Sequence, residues 1–472
     1  MDENSDVGLY GLAVMGRNLA LNILDRGYSL SVYNRSLDKC VDFMAAEGPS
    51  HSGLKTAASE AAFVASLSLP RRLILMVKAG PPVDEALDRL LELLEPGDIV
   101  LDGGNSYYKD TERREERCAS RGVRFIGLGV SGGEEGARRG PSLMAGGDSE
   151  AWEAVKPLLE SIAAVADDGR PCAAWLGRGG SGHFVKMVHN AIEYADMELI
   201  SESYSILLSS LHMSHDEMRT VFSEWNKTEL SSYLIGITAD ILGVRDEDGE
   251  PLVEKVLDSA AQKGTGAWAS GAALELGVPA GLLAEAVFAR DLSALKDERV
   301  SASAVLGGPK AASTGERLAM VEDLRRALLA AKVIAYAEGF QLLSAASARY
   351  DWKLDLPAVA RVWRAGCIIR SGFLDRIAEA FRREASLTSL LLDSYFKSVL
   401  DQCLPSLRKV TVRAIEQGRP VPAFAAALSY YDGYRSTWLP ANLVQAQRDR
   451  FGAHGYERVD RPRGESFHSD WK

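Results

Sequence analysis

The chain has 472 residues, with 54 Lys and Arg against 65 Asp and Glu, a net charge of −11, and 46% hydrophobic and 25% charged residues. This is ordinary globular composition for two or three domains, and its acidic balance argues against a general nucleic-acid or anionic-membrane binder while leaving room for a local basic pocket. Five scattered cysteines without a C-x-x-C pair (Cys40, Cys118, Cys172, Cys367, Cys403) point to a reducing compartment, and away from a disulfide framework or a zinc site.

Residues 1–6 are acidic and polar, unlike a signal or transit peptide, and no apolar run approaches the ~20 residues of a membrane span. The expectation is a cytoplasmic protein with no membrane or nucleic-acid partner. Residues 7–12 begin an apolar run that breaks into glycines, 18–24 follow with helical spacing, and 30–33 alternate like a strand. Residues 73–77 and 99–101 are continuous apolar runs, each ended by a Gly-bearing turn, and 123–130 is another. Such runs separated by helical patterns predict a parallel sheet buried on both faces, giving an α/β Rossmann-like domain over 1–179. Gly177, Gly179, Gly180 and Gly182 mark a boundary, after which long Ala/Leu/Glu-rich periodic segments predict a large all-α domain over 180–438. From about Pro440 the chain is polar and Arg-rich, a C-terminal tail (439–472) with little to bury that must dock on something. Within the helical part, Ile192-Glu-Tyr194-Ala-Asp196 returns as Ile334-Ala-Tyr336-Ala-Glu338, and Trp225 as Trp363. Either the helical unit is duplicated or the echo is chance.

Between the first strand and the first helix stands Gly11-Leu12-Ala13-Val14-Met15-Gly16, a G-x-G-x-x-G pattern with Ala13 at the second glycine. The first glycine suits the tight turn and the third suits close helix–strand packing, with the helix N-terminus left to face a pyrophosphate. At the end of the second strand, Asn34-Arg35-Ser36 replaces the acidic residue expected for NAD. A carboxylate would repel a 2′-phosphate that Arg35 and Ser36 can hold, so NADP is favoured over NAD. Further turns follow apolar strands at Val77-Lys78-Ala79-Gly80, Asp102-Gly-Gly-Asn105-Ser106 and Ser131-Gly132-Gly133. In a doubly wound sheet these strand ends are where ligands bind. Lys186, His189, Asn190, Glu193 and Tyr194 then share one helix face. A base, a hydrogen-bond donor and an acid within two turns suit proton transfer, and burial near cations would let a lysine act as the base. A solvated face is the competing reading, but the echoed positions Leu328, Ala331, Lys332, Ala335 and Tyr336 show that the fold does not itself require that set. Downstream, Lys263-Gly-Thr265, Arg290, Arg448 and His454 could form an anion grip, although each alone could be an ordinary surface residue.

Over nearly its whole length the chain resembles the decarboxylating 6-phosphogluconate dehydrogenases. The resemblance rests on residues 11–16, 34–36 and 102–106, on Ser-Gly-Gly-Glu-Glu-Gly-Ala-Arg at 131–138, on Gly-His-Phe-Val-Lys-Met-Val-His-Asn at 182–190 and on Gln-Ala-Gln-Arg-Asp-Arg-Phe-Gly-Ala-His at 445–454. It implies NADP-dependent oxidative decarboxylation of 6-phospho-D-gluconate to ribulose 5-phosphate in the pentose phosphate pathway, without a metal. By the same resemblance Lys186 is the general base and Glu193 the later acid. Residues 11–16, 34–36, 77–79 and Asn105 would hold the cofactor. Asn105, Ser131, Gly132, Gly133, His189 and Asn190 would contact the sugar acid, and Tyr194, Lys263, Thr265 and Arg290 mainly its phosphate. Arg448 and His454 would reach the partner's site in an obligate homodimer. Departures from the family pattern are Ala267 in place of a lysine, Ala145 in place of a loop proline, and Ser181, Ala191 and Ala195 around the catalytic helix. Two other readings are an NAD(P)-dependent β-hydroxyacid dehydrogenase acting on a small unphosphorylated substrate, and a lapsed, NADPH-binding regulatory protein. The first would not need Lys263, Arg290, Arg448 and His454 together, and the second predicts loss of Lys186 or Glu193.

Overall fold

Short runs such as Val-Gly-Leu-Tyr and Ile-Val-Leu-Asp are apolar on both faces, so they are stable only with helices covering each side. The computed structural model describes residues 4–262, 264–309 and 317–471. Among these, eight strands form one sheet in the order β3-β2-β1-β4-β5-β6-β7-β8. They are β1 (Val7–Tyr10), β2 (Leu30–Tyr33), β3 (Leu54–Thr56), β4 (Arg72–Leu75), β5 (Ile99–Asp102), β6 (Arg124–Ser131), β7 (Ser142–Gly147) and β8 (Ala173–Trp175). The covering helices are α1 (Val14–Asp25), α2 (Leu37–Glu47), α3 (Glu60–Ala65), α4 (Pro81–Leu90), α5 (Tyr108–Ala119), α6 (Gly133–Arg139) and α7 (Ser149–Ile162). Alternate strand residues feed two cores. Leu9, Val32, Ile74 and Leu101 pack with Leu19 and Ile23 of α1 and Val155 of α7, whereas Leu73, Leu75 and Val100 pack with Val83, Leu87 and Leu90 of α4.

The expectation of a wholly parallel sheet is corrected at one place: β7 runs antiparallel to β6, with Gly127 opposite Gly146 and Ser131 opposite Ser142. Residues 132–141 are too few for a crossover, which needs a dozen or more, so the chain turns through α6 and re-enters the sheet in the opposite direction.

The remaining helices are α8 (Ser181–Ser209), α9 (His215–Trp225), α10 (Tyr233–Gly243), α11 (Thr265–Leu276), α12 (Gly281–Ala294), α13 (Lys296–Ser303), α14 (Arg317–Arg349), α15 (Leu356–Val362), α16 (Leu374–Arg383), α17 (Ser394–Glu416), α18 (Pro422–Tyr434) and α19 (Ala441–Gly452). Their order repeats: a long helix, a short one with a tryptophan at its C-terminal end, then four more, once from α8 and again from α14. Trp225 closes α9 and Trp363 caps α15. An isolated antiparallel bridge joins Ser232 to Ser371, the corresponding points of the two repeats. Each long helix also caps a short helix of the other repeat. Glu338 of α14 accepts the N–H groups of Leu282 and Leu283 in α12, and Glu202 of α8 accepts those of Ala423 and Phe424 in α18. This reciprocity supports the duplication reading of the sequence echo.

α14, interrupted by Lys332 and Glu338, is long and apolar enough on average to span a bilayer, but 89% of its apolar window is buried inside the protein. Its apolarity is that of a core helix, and its Lys332 pairs with Asp196 of α8 at 2.9 Å.

The chain divides into two compact units, Met1–Ala427 and Leu428–Lys472. The second has its own polar centre. The buried Asp449 carboxylate accepts from Gly455 N (3.0 Å), His468 Nδ1 (2.9 Å), Ser469 N (3.2 Å) and Trp471 Nε1 (2.7 Å). Burial alone would raise its pKa, but these donors hold it below the usual carboxylate range.

Candidate active site

The site is built where α8 lies against the sheet, and glycines make that approach possible. Gly127, Gly129 and Ser131 point to one face of β6. A Cβ on Gly129 would lie 2.6 Å from Lys186 Cβ, and one on Gly127 would lie 2.9 Å from His183 Nδ1. Gly182 packs still more closely: its Cβ would come 2.5 Å from both Gly127 O and Met144 O. The first turns of α8 therefore rest backbone against backbone on β6 and β7.

That contact buries the polar stripe instead of solvating it. Lys186 is 6% exposed and His189 fully buried. Lys186 Nζ donates to Asn190 Oδ1 at 2.8 Å and lies 3.2 Å from His189 Nδ1. His189 Nδ1 is also 3.1 Å from Asn190 Oδ1, while its Nε2 faces Ser131 Oγ at 3.1 Å. Glu193 Oε2 stands 3.7 Å from His189 Nδ1. Burial pushes the Lys186 amine below the ordinary lysine range, against the opposing pull of Glu193. Burial likewise raises the Glu193 carboxyl, with Lys186 and Arg290 pulling the other way. His189 is driven well below its usual value, first by burial and then by Lys186. Burial thus moves the amine and the carboxyl each toward its neutral form, the direction that suits a base and an acid on one face.

A narrow cleft is lined by Asn105, Ser106, His183, Lys186, Met187, Asn190 and Thr265. Thr265 opens α11 after Gly264, which adopts a left-handed conformation. Tyr194 lies against Gly266, where a Cβ would meet its ring at 2.8 Å, and the Arg290 guanidinium lies over the Tyr194 ring, 3.5 Å from its centroid. Tyr194, Thr265 and Arg290 thus converge, whereas Lys263 lies outside the described residues. Gly132 and Gly133 adopt positive φ at the start of α6. Arg448 and His454 are exposed in the second unit, Arg448 bonded to Gln445 and His454 edge-on to Phe451.

A Cβ on Gly16 would lie 2.0 Å from Gly11 O, and one on Gly11 would lie 2.5 Å from Met76 O, so both glycines are required. Ala13 caps α1 without a side-chain bond, leaving the helix N-terminus open to an anion. Asn34 Oδ1 accepts from Leu12 N at 3.0 Å and its Nδ2 donates to Ser36 O at 3.0 Å, tying the two loops together. Arg35, Ser36 and Lys78 are exposed at the strand ends and Val14 is 58% exposed, while Val77 and Ala79 are half-buried. Met15 packs against the core. The loop fits a dinucleotide pyrophosphate, with a cation and hydroxyl beside it.

Two family models cover the chain: the NAD binding domain of 6-phosphogluconate dehydrogenase matches residues 6–177, and the 6-phosphogluconate dehydrogenase C-terminal domain matches residues 182–471. The chain belongs to the 6-phosphogluconate dehydrogenase family. It is similar to 6-phosphogluconate dehydrogenase, decarboxylating, of Escherichia coli strain K12 (51% identity, 98% of each chain) and to the NADP(+)-dependent, decarboxylating enzyme of Bacillus subtilis strain 168 (54% identity, 98% of each). It also resembles the solved Plasmodium falciparum 6-phosphogluconate dehydrogenase, described in its apo form and in complex with NADP+ and with 6-phosphogluconate, at a TM-score of 0.95 and 42% identity over 99% of this chain and 100% of that one.

The motifs of this 6-phosphogluconate dehydrogenase chain did not reveal Ser106, His183 and Met187 as cavity walls, nor the buried groups behind them. His183 Nε2 donates to Asp102 O at 3.1 Å and its Nδ1 faces Thr111 Oγ1 at 2.7 Å. Its position on α8, one turn before Lys186, was the available signal.

Proposed function

We propose that the chain converts 6-phospho-D-gluconate to D-ribulose 5-phosphate and CO2, with reduction of NADP to NADPH. The observation that carries this reading is the buried Lys186, its amine pushed below the ordinary lysine range, bonded to Asn190 and on one face with Glu193, whose carboxyl burial raises. Neutral Lys186 takes the proton of the C3 hydroxyl. NADP, when bound, accepts the hydride that leaves C3. The product is a β-keto acid, and protonated Lys186 polarises its ketone oxygen while the C1–C2 bond breaks and CO2 departs. Glu193 then gives its proton to the enediol carbon that becomes C1 of ribulose 5-phosphate, and the positive charge on lysine supplies the electrophile.

Residues 11–16, Asn34, Arg35, Ser36, Val77, Lys78, Ala79 and Asn105 hold the cofactor in this reading, with Arg35 and Ser36 on the 2′-phosphate. Asn105, Ser131, Gly132, Gly133, His189 and Asn190 orient the sugar acid. Tyr194, Thr265, Arg290 and Lys263 hold its phosphate, joined by the partner subunit's Arg448 and the partner subunit's His454 in a homodimer. A cytoplasmic setting belongs to the same reading, supported by five free, buried cysteines.

The test is a steady-state assay of 6-phosphogluconate with NADP and with NAD, with released CO2 trapped. NADPH and CO2 in equal amounts are expected. NADPH without CO2, or faster turnover of an unphosphorylated hydroxy acid, would favour the β-hydroxyacid dehydrogenase reading instead.

A further inference from the structure

α5 has the sequence Tyr-Lys-Asp-Thr-Glu-Arg-Arg-Glu-Glu-Arg-Cys-Ala, a composition that suits a solvated helix, yet Arg114 at its centre is fully buried. Burying a guanidinium is costly unless every donor is paired and its charge is balanced. Arg114 meets both conditions. Its Nε donates to Asp84 Oδ1 (2.9 Å) and its Nη2 to Asp84 Oδ2 (2.9 Å) and Gly80 O (3.0 Å). Its Nη1 donates to Ser106 Oγ (3.2 Å) and Asp102 Oδ2 (3.4 Å). The five N–H groups of one guanidinium thus meet five acceptors. Asp84 is held down to about 2, chiefly by Arg114, so that pair is charged.

The acceptors flank two different turns. Gly80, the N-cap of α4, and Asp84 in its first turn follow Val77, Lys78 and Ala79, while Asp102 at the end of β5 and Ser106 bracket the turn containing Asn105. Asp102 also fixes the second turn directly, through Gly104 N at 3.1 Å and Ser106 Oγ at 2.7 Å. The network continues into the base helix, where His183 Nε2 donates to Asp102 O. His183 lies one turn before Lys186 on α8. A continuous hydrogen-bonded chain therefore runs from the cofactor turn through Arg114 to the substrate turn and on to the helix that carries the base.

We propose that Arg114 is a positioning residue that sets the spacing between the cofactor turn at 77–80 and the substrate turn at 102–106, and hence the alignment of the two reactants over Lys186. The inference rests on the dehydrogenase reading above. Arg114 touches neither ligand in that reading and acts through backbone and side-chain acceptors that no smaller cation can span. A guanidinium is required because a lysine supplies three donors from one atom and cannot reach both loops in this fork geometry.

Arg114→Ala and Arg114→Lys are compared with the wild-type dimer, measuring kcat, calorimetric Kd for NADP and for 6-phosphogluconate separately, and rescue by added guanidinium. Loss of alignment by an ångström predicts a fall in kcat of about 100-fold in Arg114→Ala, with each Kd changed by less than about fivefold. Guanidinium then restores at least about tenfold of the lost kcat in that variant and none in Lys186→Ala, because only the former leaves a guanidinium-shaped, doubly acidic cavity. If Arg114→Ala does not fold, Arg114→Lys carries the test, with kcat lower by about tenfold or more at unchanged Kd values. A kcat within about threefold of wild type in the folded variant overturns the proposal, as does a weakening of NADP binding in proportion to kcat or a lack of rescue. Failure of the wild-type protein to turn over 6-phosphogluconate would instead overturn the dehydrogenase reading, independently of Arg114.

Discussion

Gly129 offers the sharpest test of how the fold places the base. In Gly129→Ala the new methyl would stand 2.6 Å from Lys186 Cβ and 3.1 Å from Gly182 O. Carbon atoms ordinarily meet at about 3.5–4.0 Å, so roughly 1 Å of separation must be found. α8 cannot supply it by a local roll, because Gly182 is already wedged against Gly127 O, Met144 O and Gly146 N. The helix must lift from the sheet and carry Lys186 with it. A displacement of about 1 Å costs on the order of 100-fold in rate, and the overpacking itself costs about 1–3 kcal/mol of stability. Following NADPH absorbance at saturating substrate should therefore show kcat lowered by about two orders of magnitude. NADP affinity should persist, since residues 11–16 lie after β1, in the turn to α1 and in its first residues. Gly271→Ala is the control: its Cβ would meet nothing within 4 Å, so activity should hold. A Gly129→Ala enzyme with kcat within about threefold of wild type would refute the claim that strand glycines position the base.

Arg35→Ala should weaken NADP far more than NAD, and an equal loss for both would overturn the 2′-phosphate assignment. Mixing Lys186→Ala with Arg448→Ala subunits should restore about a quarter of wild-type activity, because half the dimers would carry one intact site; no restoration would remove the tail from the partner's site. The pH profile of kcat/KM should rise as Lys186 loses its proton, below the ordinary lysine range, and fall as Glu193 loses its own, above the ordinary glutamate range. Glu193→Gln should abolish the falling limb in whatever activity survives, and an unchanged limb would assign it elsewhere. Burial pushes Glu338 up to about 8, so the folded state holds a proton that the unfolded state releases above about 4.5. Stability should then fall as pH rises across that window, a slope that Glu338→Gln should flatten in thermal melts.

The parts of the fold that could be read from sequence were those whose residues face only one kind of environment. Leu30–Tyr33 alternates and Ile99–Leu101 is a continuous apolar run, and both coincide with strands. Ser142–Gly147 escaped notice because its second half must be small: Gly146 lies against Ser181 and Gly182, and Ala145-Gly-Gly147 carries little β signal. The site shows the same division. The Lys186–Tyr194 stripe was legible because it repeats at helical spacing, but its burial depended on glycines more than 50 residues away in sequence. Arg114 was hidden by its acidic and basic neighbours, although it shares a face with Tyr108, Thr111 and Cys118, all buried. A charged residue inside an otherwise buried stripe was the signal that could have marked it.

The central claim is that Lys186, neutral and buried, is the base that begins the reaction. Lys186→Met keeps the apolar stem and removes the amine, and the measurement that decides is single-turnover NADPH formation from 6-phosphogluconate with NADP binding checked by calorimetry. The account predicts NADP binding close to wild type and NADPH formation slowed by at least about 1000-fold, the scale of losing a general base together with its electrostatic help. NADPH formation within about tenfold of wild type, with the variant folded and NADP bound, would contradict it.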